Sequence, residues 1–116
     1  MTADAGGCIG AALEFANALV RRDDEAAYAM TTRDYQRRVP LATLRERFDA
    51  ITPVEFGPIT SVDVGMSMES WPDKQGGDVG WVYVTIGGDV YSEALIVVIT
   101  VEDDAMKVRE VEFGRP

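Results

Sequence analysis

The chain has 116 residues, of which 47% are hydrophobic and 27% are charged. This composition is typical of a globular protein that buries a core without disulfides or bound metal. The net charge is −9 and there is no histidine, which argues against nucleic acids and anionic membranes as partners, because both reward clustered Lys and Arg. We therefore expect one domain over residues 1–116, with no cofactor or metal. A basic protein partner is compatible with its negative charge.

The negative charge lies mostly in the second half of the chain. Residues 1–50 hold 7 basic and 8 acidic side chains, whereas residues 51–116 hold 4 and 12. Solubility alone accounts for such a bias, and steering of a basic partner is the alternative. The single cysteine, Cys8, excludes an intrachain disulfide, and residues 1–10 resemble neither a signal nor a transit peptide. A cytoplasmic location is expected.

Three helices are predicted in the first half. Apolar residues recur at helical spacing over residues 8–20, and the acidic run 23–25 then offers a cap for a second, short helix. A third helix is predicted from Pro40 to about Ile51, since proline fits a first helical turn. The segment 31–39 shows no clean period and is predicted as a turn plus a connector.

The pattern changes from helical to alternating after Val54. Within residues 60–70, apolar side chains alternate with polar or small ones, which predicts a strand with one buried face. The apolar set is Val62, Val64, Met66 and Met68.

A β-hairpin is predicted between Val79 and Val101. Two β-branched and aromatic runs are separated by Gly-Gly-Asp at 87–89, which predicts a two-residue turn and argues against a membrane helix. A further tight turn is predicted at 102–105. The last strand is predicted over 106–113, and a phase change in its apolar positions indicates a bulge near Arg109.

Helices segregated before an antiparallel meander predict an α+β fold, with helices over about 8–51 packed on one face of a curved sheet of about four strands over 54–113. The element order resembles that of the NTF2-like (cystatin-like fold) superfamily: a long first helix, a short second helix with a Tyr-containing connector, a third helix started by proline, and a meander ending in a short charged strand. The closing residues 112–116, Glu-Phe-Gly-Arg-Pro, are similar to those of NTF2-fold immunity proteins, which neutralise bacterial toxins.

The resemblance also implies an enzymatic alternative, because ketosteroid isomerases and dehydratases of this superfamily place carboxylates, Tyr and often His in an apolar cone. This chain has no His. Strand pairing places Glu93 on the aliphatic face of the hairpin, where a buried carboxyl could act as acid or base, unless the strand end leaves it in water at the rim. Tyr28 and Tyr35 could line such a pocket, or be core tyrosines.

The opposite face of the hairpin is also apolar. It carries Trp81 and Tyr83 from one strand and Ile96 and Val98 from the next, whereas a half-exposed sheet should alternate with polar residues. Helices can cover only one face, so this one is a candidate association surface. Contact with another protein, homodimerisation, and a sheet that curves over itself remain open alternatives.

Charged clusters complete the candidate sites. Asp103 and Asp104 are candidate contacts for a basic partner. Arg33, Arg37 and Arg38 form the only basic cluster predicted outside helices, and either bind an anion or pair within the chain. The sequence as a whole predicts a non-enzymatic, acidic protein-binding domain, most specifically a toxin-neutralising immunity-type protein. The alternative is an isomerase- or dehydratase-type pocket protein using Glu93 and a tyrosine.

Overall fold

A computed structural model describes residues 5–114, and the side chains of residues 7–114. Helices come first along this part of the chain and strands follow, which confirms the predicted α+β class. The elements are α1 (Ala5–Val20), α2 (Asp24–Ala29), α3 (Arg33–Arg38), α4 (Leu41–Ile51), a 3-10 helix (Val54–Phe56), β1 (Ser61–Met68), β2 (Asp78–Gly87), β3 (Ser92–Glu102) and β4 (Ala105–Phe113).

The strands form one antiparallel sheet in the order β1-β2-β3-β4. One face of the sheet packs against the helices, and α1 lies across it. Gly80 permits this approach, because a Cβ atom there would lie 2.8 Å from the side chain of Cys8. The core between the layers is aliphatic and aromatic, and its fully buried members include Phe15, Leu19, Tyr35, Phe48, Val82, Val84, Leu95, Val97 and Ile99.

Two predicted helices begin where their capping residues place them. The Asp23 carboxylate accepts a hydrogen bond of 3.2 Å from the Ala26 amide at the start of α2. Pro40 immediately precedes α4, and the fixed φ angle of a proline suits a helix start. The helix ends at Ile51, shortly before Pro53.

The prediction of a turn and connector at 31–39 is wrong, because this segment contains α3. The Thr32 hydroxyl accepts a hydrogen bond from the Tyr35 amide, Asp34 lies in the first turn, and Arg37 and Arg38 lie in the last. These are the capping and charge preferences of a helix. Six residues are too few to show a hydrophobic period, so the capping residue is the signal that identifies α3.

The prediction that β1 has one buried apolar face is also wrong in its second half. The register with β2 shifts between Val64 and Met66, leaving Gly65 as the extra residue of a bulge. An extra residue moves every later side chain to the other face. Met66 therefore pairs with Tyr83, and Met68 with Trp81.

The hairpin has the predicted strand pairing but a longer loop than predicted. Gly87 pairs with Ser92, and the Gly88 amide donates to the Tyr91 carbonyl oxygen over 3.0 Å, so four residues rather than two connect β2 and β3. The predicted bulge in β4 is confirmed, because the register skips Arg109. The tight turn at 103–104 is confirmed as well, with positive φ at both residues.

The outer edge of β4 is partly covered by the segment between α2 and α3. The Val108 amide donates to the Met30 carbonyl oxygen over 2.7 Å, and the Thr32 amide donates to the Val108 carbonyl oxygen over 2.9 Å. Thr31 and Val108 thus form an isolated parallel bridge. Within residues 5–114, none of the helices is long and apolar enough to cross a membrane.

Candidate functional site

The face of the sheet opposite the helices, the helix-free face, carries an apolar group that is partly open to solvent. The Trp81 and Tyr83 rings stack on it, with centroids 6.4 Å apart. Cross-strand pairing places Met68 beside Trp81 and Met66 beside Tyr83, and Met66 is 55% exposed. We call these four residues the exposed patch. Methionine and aromatic side chains are enriched on adaptable binding surfaces because they offer large, deformable contact area.

Ile96 and Val98 lie on the same face but beneath this patch. They are 1% and 5% exposed, and neither belongs to the core cluster under the helices. Their cross-strand neighbours are Tyr83 and Trp81 on one side and the longer β4 side chains on the other. These two candidate association residues are therefore buried within the chain itself, by side chains of their own sheet.

Acidic side chains flank the exposed patch on both sides. Asp63 of β1 pairs with Thr85, and Glu112 of β4 pairs with Ile96, so both carboxylates lie on the helix-free face. Among the described residues, neither forms an ion pair. Glu110, beside Val98, is held by Arg38 over 3.1 Å. The patch is thus bordered by negative charge that the chain itself leaves partly unbalanced.

One buried ion pair closes the end of the helix-free face. The Asp78 side chain has no exposed surface, and its two carboxylate oxygens accept hydrogen bonds of 2.8 Å from Nε and Nη2 of Arg109. Such bidentate geometry fixes both partners. The bulge at Arg109 directs the guanidinium back across the sheet from β4 to β2, so this bulge has a structural role.

Asp103 and Asp104, the predicted acidic contacts, both lie in the β3–β4 turn, but only Asp103 forms an ion pair among the described residues. Asp103 accepts a hydrogen bond of 2.5 Å from Arg33, and Glu102 also contacts that guanidinium over 3.1 Å. Asp104 is exposed. The turn lies beyond Thr100, at the end of the hairpin rather than beside Trp81.

The basic cluster pairs within the chain, as one of its two interpretations expected. Arg33 contacts Asp103, while Arg37 and Arg38 both contact Asp34, over 3.3 Å and 2.8 Å. The hydrogen bond from Arg38 holds the pKa of the Asp34 carboxyl below its ordinary value. The expectation that these arginines lie outside helices is wrong, because all three belong to α3.

The structure does not bring the candidate catalytic residues together. Glu93 pairs with Ile86 and is half-buried at the start of β3, on the helix side of the sheet. The Tyr28 hydroxyl lies 2.8 Å from the Val39 carbonyl oxygen and 3.0 Å from the Gln36 carbonyl oxygen. It is thus engaged in hydrogen bonding to the backbone around α3. In the described part of the chain, no hydrogen bond joins Glu93 to either tyrosine.

Tyr35 is a core residue. Its side chain is fully buried, and its hydroxyl has no hydrogen-bond partner among residues 7–114. Desolvation raises the pKa of this phenol to about 12. The neutral phenol is therefore the form that the core accepts.

A cavity of about 460 Å³ opens at one end of the helix layer. It lies where α1 and α4 end, and the 3-10 helix and the β2–β3 loop form its other walls. Gly88 lets this loop press against Pro58, since a Cβ atom there would lie 2.5 Å from the Pro58 carbonyl oxygen. Glu93 does not line the cavity, whose walls are Leu19, Val20, Arg22, Arg45, Phe48, Thr52, Val54, Gly57, Pro58, Ile59 and Tyr91.

Two arginines of the cavity wall share one aspartate. The Asp49 carboxylate accepts from Arg22 over 2.8 Å and from Arg45 over 3.1 Å. Arg45 also bonds Asp24 and the Leu19 carbonyl oxygen. Partial burial of Asp49 opposes its ionisation, but the hydrogen bonds from Arg22 and Arg45 outweigh that effect and hold its pKa below its ordinary value.

Arg22 has an unusual backbone conformation, with φ at +67°. The Arg22 amide donates to the Leu19 carbonyl oxygen, and the Asp23 amide donates to the Ala18 carbonyl oxygen. This is the Schellman motif, in which an α-helix ends with one residue in the left-handed conformation. Glycine is the usual residue at this position, and a side chain there costs about 1 kcal/mol. Because an arginine and not a glycine occupies this position, a guanidinium lies at the cavity wall.

Within residues 7–114 the side chains form neither a metal site nor a reactive thiol site. No group of three Cys, Asp or Glu side chains there could hold a metal ion. Cys8 is 2% exposed, and its Sγ donates to the Val79 carbonyl oxygen over 3.3 Å. It packs between α1 and β2 as a small core residue.

Comparisons with protein-family models, with curated proteins and with solved structures gave no match. Sequence patterns missed Met66, Met68, Arg22 and Tyr91 as surface or cavity residues. Gly65, a glycine inside an alternating strand, is the one signal that could have indicated the bulge, and with it the placement of the methionines.

Proposed function

We propose that this chain is a non-enzymatic binding domain that engages a basic protein through the helix-free face. The observation that carries the proposal is the exposed patch, whose two stacked aromatic rings and two methionines share the helix-free face with the acidic residues Asp63 of β1 and Glu112 of β4. Aromatic anchors inside a polar rim are the usual arrangement of an interaction hot spot.

Charge determines which partner this surface suits. The chain carries −9, and the two carboxylates that flank the patch add a local negative field. A partner with an apolar centre and Lys or Arg around it would gain from both, because complementary charges speed association and suppress wrong partners. The proposal therefore specifies an apolar surface flanked by basic residues.

The same charge disfavours a homodimer through this face. A two-fold dimer apposes one patch to its copy and brings Asp63 and Glu112 of both chains into one interface. Like charges in such an interface cost binding energy unless cations intervene. A different, basic protein is thus the better occupant of the patch.

The most specific form of the proposal is an immunity-type protein that neutralises a toxin. This form draws on the resemblance of the element order and of the closing residues 112–116 to NTF2-fold immunity proteins. The absence of histidine from the chain, and the engagement of the Tyr28 hydroxyl by the Gln36 and Val39 carbonyl oxygens, favour this form over an enzyme of the same superfamily.

The proposal is tested by calorimetry with the protein encoded by the neighbouring gene, at low and at high salt. We expect Trp81→Ala to weaken binding by about 30-fold or more, because truncating an anchor typically costs at least about 2 kcal/mol. We expect Met66→Lys to act in the same direction, since it places a cation opposite a basic partner.

A matched control is Val101→Ala, which also truncates an exposed apolar side chain, 44% exposed, but at the far end of β3. It should leave the affinity unchanged. Asp63→Asn combined with Glu112→Gln should slow association and reduce its salt dependence. No complex at low salt, or an affinity insensitive both to Trp81→Ala and to salt, would contradict the proposal.

A further inference from the structure

The cavity beside α1 and α4 is independent of the proposed protein-binding face. Its volume of about 460 Å³ is within the range of about 300–1,000 Å³ that small-molecule sites occupy. Apolar side chains such as Phe48 and Ile59 share its wall with a nearly equal polar surface, to which Arg22 and Arg45 belong, and this combination suits a small molecule with an apolar and a polar part.

Exposed apolar side chains gather around this cavity. Five large apolar residues are notably exposed among those described, and three of them lie here. Val54 is 80% exposed and forms part of the wall, Phe56 contacts the ring of the wall residue Tyr91 at 5.7 Å, and Val90 precedes that tyrosine. An apolar molecule in the cavity would cover surface that the chain otherwise leaves in water.

The polar part of the wall offers hydrogen-bond donors. Arg22 is about half exposed, and only its Nη1 is held, by Asp49. Its Nε and Nη2 donors have no partner in residues 7–114. The Thr52 hydroxyl already donates to the Phe48 carbonyl oxygen. An occupant would therefore present an acceptor oxygen to Arg22.

The charge at the wall is already balanced. Arg22 and Arg45 are paired with Asp24 and Asp49, so a carboxylate on the occupant would add a negative charge that the site does not neutralise, in a chain that already carries −9. An ammonium group would face the two guanidinium groups. An uncharged head group avoids both penalties.

We propose that this cavity binds an uncharged amphiphile, whose apolar part packs against Val54 and Ile59 and whose carbonyl or amide oxygen accepts a hydrogen bond from Arg22. A glycine at this position would end α1 without strain but would supply no donor to the occupant.

The test uses three probes of eight carbons each, octanamide, octanoate and octylammonium, and each is titrated into the ¹⁵N-labelled protein at 0.3 M salt and followed by amide chemical shifts. We expect octanamide to bind most tightly, in the millimolar range or better, as about ten heavy atoms allow. Its shift changes should centre on Val54, Gly57 and Ile59.

Two variants separate the tail from the head. Val54→Asp should weaken octanamide at least 5-fold, while its matched control Val101→Asp, at an exposed site outside the cavity wall, should not. Arg22→Gly suits the left-handed position, so the fold is retained, and it should weaken octanamide about 5-fold. It should also increase the preference for octanamide over octanoate, because Asp24 and Asp49 then outnumber the one remaining guanidinium at the wall.

Each outcome bears on the proposal. Saturable octanamide binding that is sensitive to Val54→Asp and Arg22→Gly supports it. No saturable binding of any probe, or binding unaffected by Val54→Asp, overturns it. Tighter binding of octanoate or octylammonium than of octanamide overturns the uncharged head group. None of these results depends on whether the helix-free face binds a protein.

Discussion

The two faces of the central hairpin are built from the same strands but are closed in different ways. On the helix side, Val82, Val97 and their neighbours are sealed by α1 and the other helices into a continuous core. On the helix-free face, Ile96 and Val98 are equally buried, yet only side chains from their own sheet lie over them. A sheet can thus hide its central residues without a second layer.

The difference concerns what remains available to other molecules. Helices bury the centre of the first face, whereas the cover of the second face consists of Trp81, Tyr83 and charged β4 side chains that themselves meet solvent. A cover made of aromatic and charged side chains is also a contact surface. The helix-free face therefore combines a structural and a binding role, and stability measurements can separate the two.

The largest expected effect contrasts Leu95→Ala with Ile96→Ala, adjacent residues that point to opposite faces. We expect Leu95→Ala to lower the free energy of unfolding by about 4 kcal/mol, because rigid helices prevent the cavity from collapsing. Ile96→Ala should cost about 2 kcal/mol, since the mobile side chains above it can settle into the space. Urea unfolding measures both, and equal losses would show that the two faces are closed alike.

The ion pair on the helix-free face should have the next largest effect. Arg109→Ala leaves the fully buried Asp78 carboxylate without its bidentate partner, at a cost of about 3 kcal/mol. The exposed pair of Arg38 and Glu110 is the control, since Glu110→Gln, which removes the charge of that pair alone, should change stability by about 0.5 kcal/mol. Thermal or urea unfolding distinguishes the two, and a loss below 1 kcal/mol for Arg109→Ala would contradict a structural role for this pair.

The smallest effect at neutral pH is expected from Tyr35→Phe, on the helix side. The hydroxyl has no partner in the described structure, so its removal should leave stability within about 0.5 kcal/mol of the wild type. The folded-state pKa of about 12 exceeds the unfolded value of about 10, so only the unfolded chain loses this proton in between.

The stability that comes from keeping the Tyr35 phenol protonated is fully present below about pH 10. It is lost as the pH rises towards 12, at about 1.4 kcal/mol per pH unit. Urea unfolding at pH 9 and pH 11 should show a smaller loss for Tyr35→Phe than for the wild type. An identical loss in both proteins would mean that Tyr35 ionises as easily when folded as when unfolded.

The features that could be predicted from sequence are those set by local pattern. Pro40 and Asp23 determine helix starts, the alternation in β2 and β3 determines their pairing, and the phase change around Arg109 revealed its bulge. In β1 the apolar pattern shows no phase change, because Met66 and Met68 are apolar and fit the core face as well as the open one, so Gly65 itself is the one local sign of the bulge. Their placement depends on the pairing with β2, which is a tertiary property.

The candidate sites follow the same division. Trp81 and Tyr83 could be assigned to one surface because their strand alternates regularly. The cavity could not be predicted, since its walls come from helix ends, a 3-10 helix and a four-residue loop that meet only in the folded chain. Asp103 illustrates the intermediate case, in which the turn was predicted but its ionic contact with Arg33, distant in sequence, was not.

The bulge at Gly65 has a consequence for how the protein behaves at high concentration. β1 is an edge strand, and unlike β4 it has no neighbouring segment bridged to its outer side in the described chain. An uninterrupted edge would present a regular ladder of amides and carbonyls to another copy, which is the starting point of strand-to-strand aggregation. The extra residue breaks that ladder in the middle of β1 and twists it locally. The same insertion that turns two methionines outward thus also makes the edge a poorer template for a strand of a second molecule.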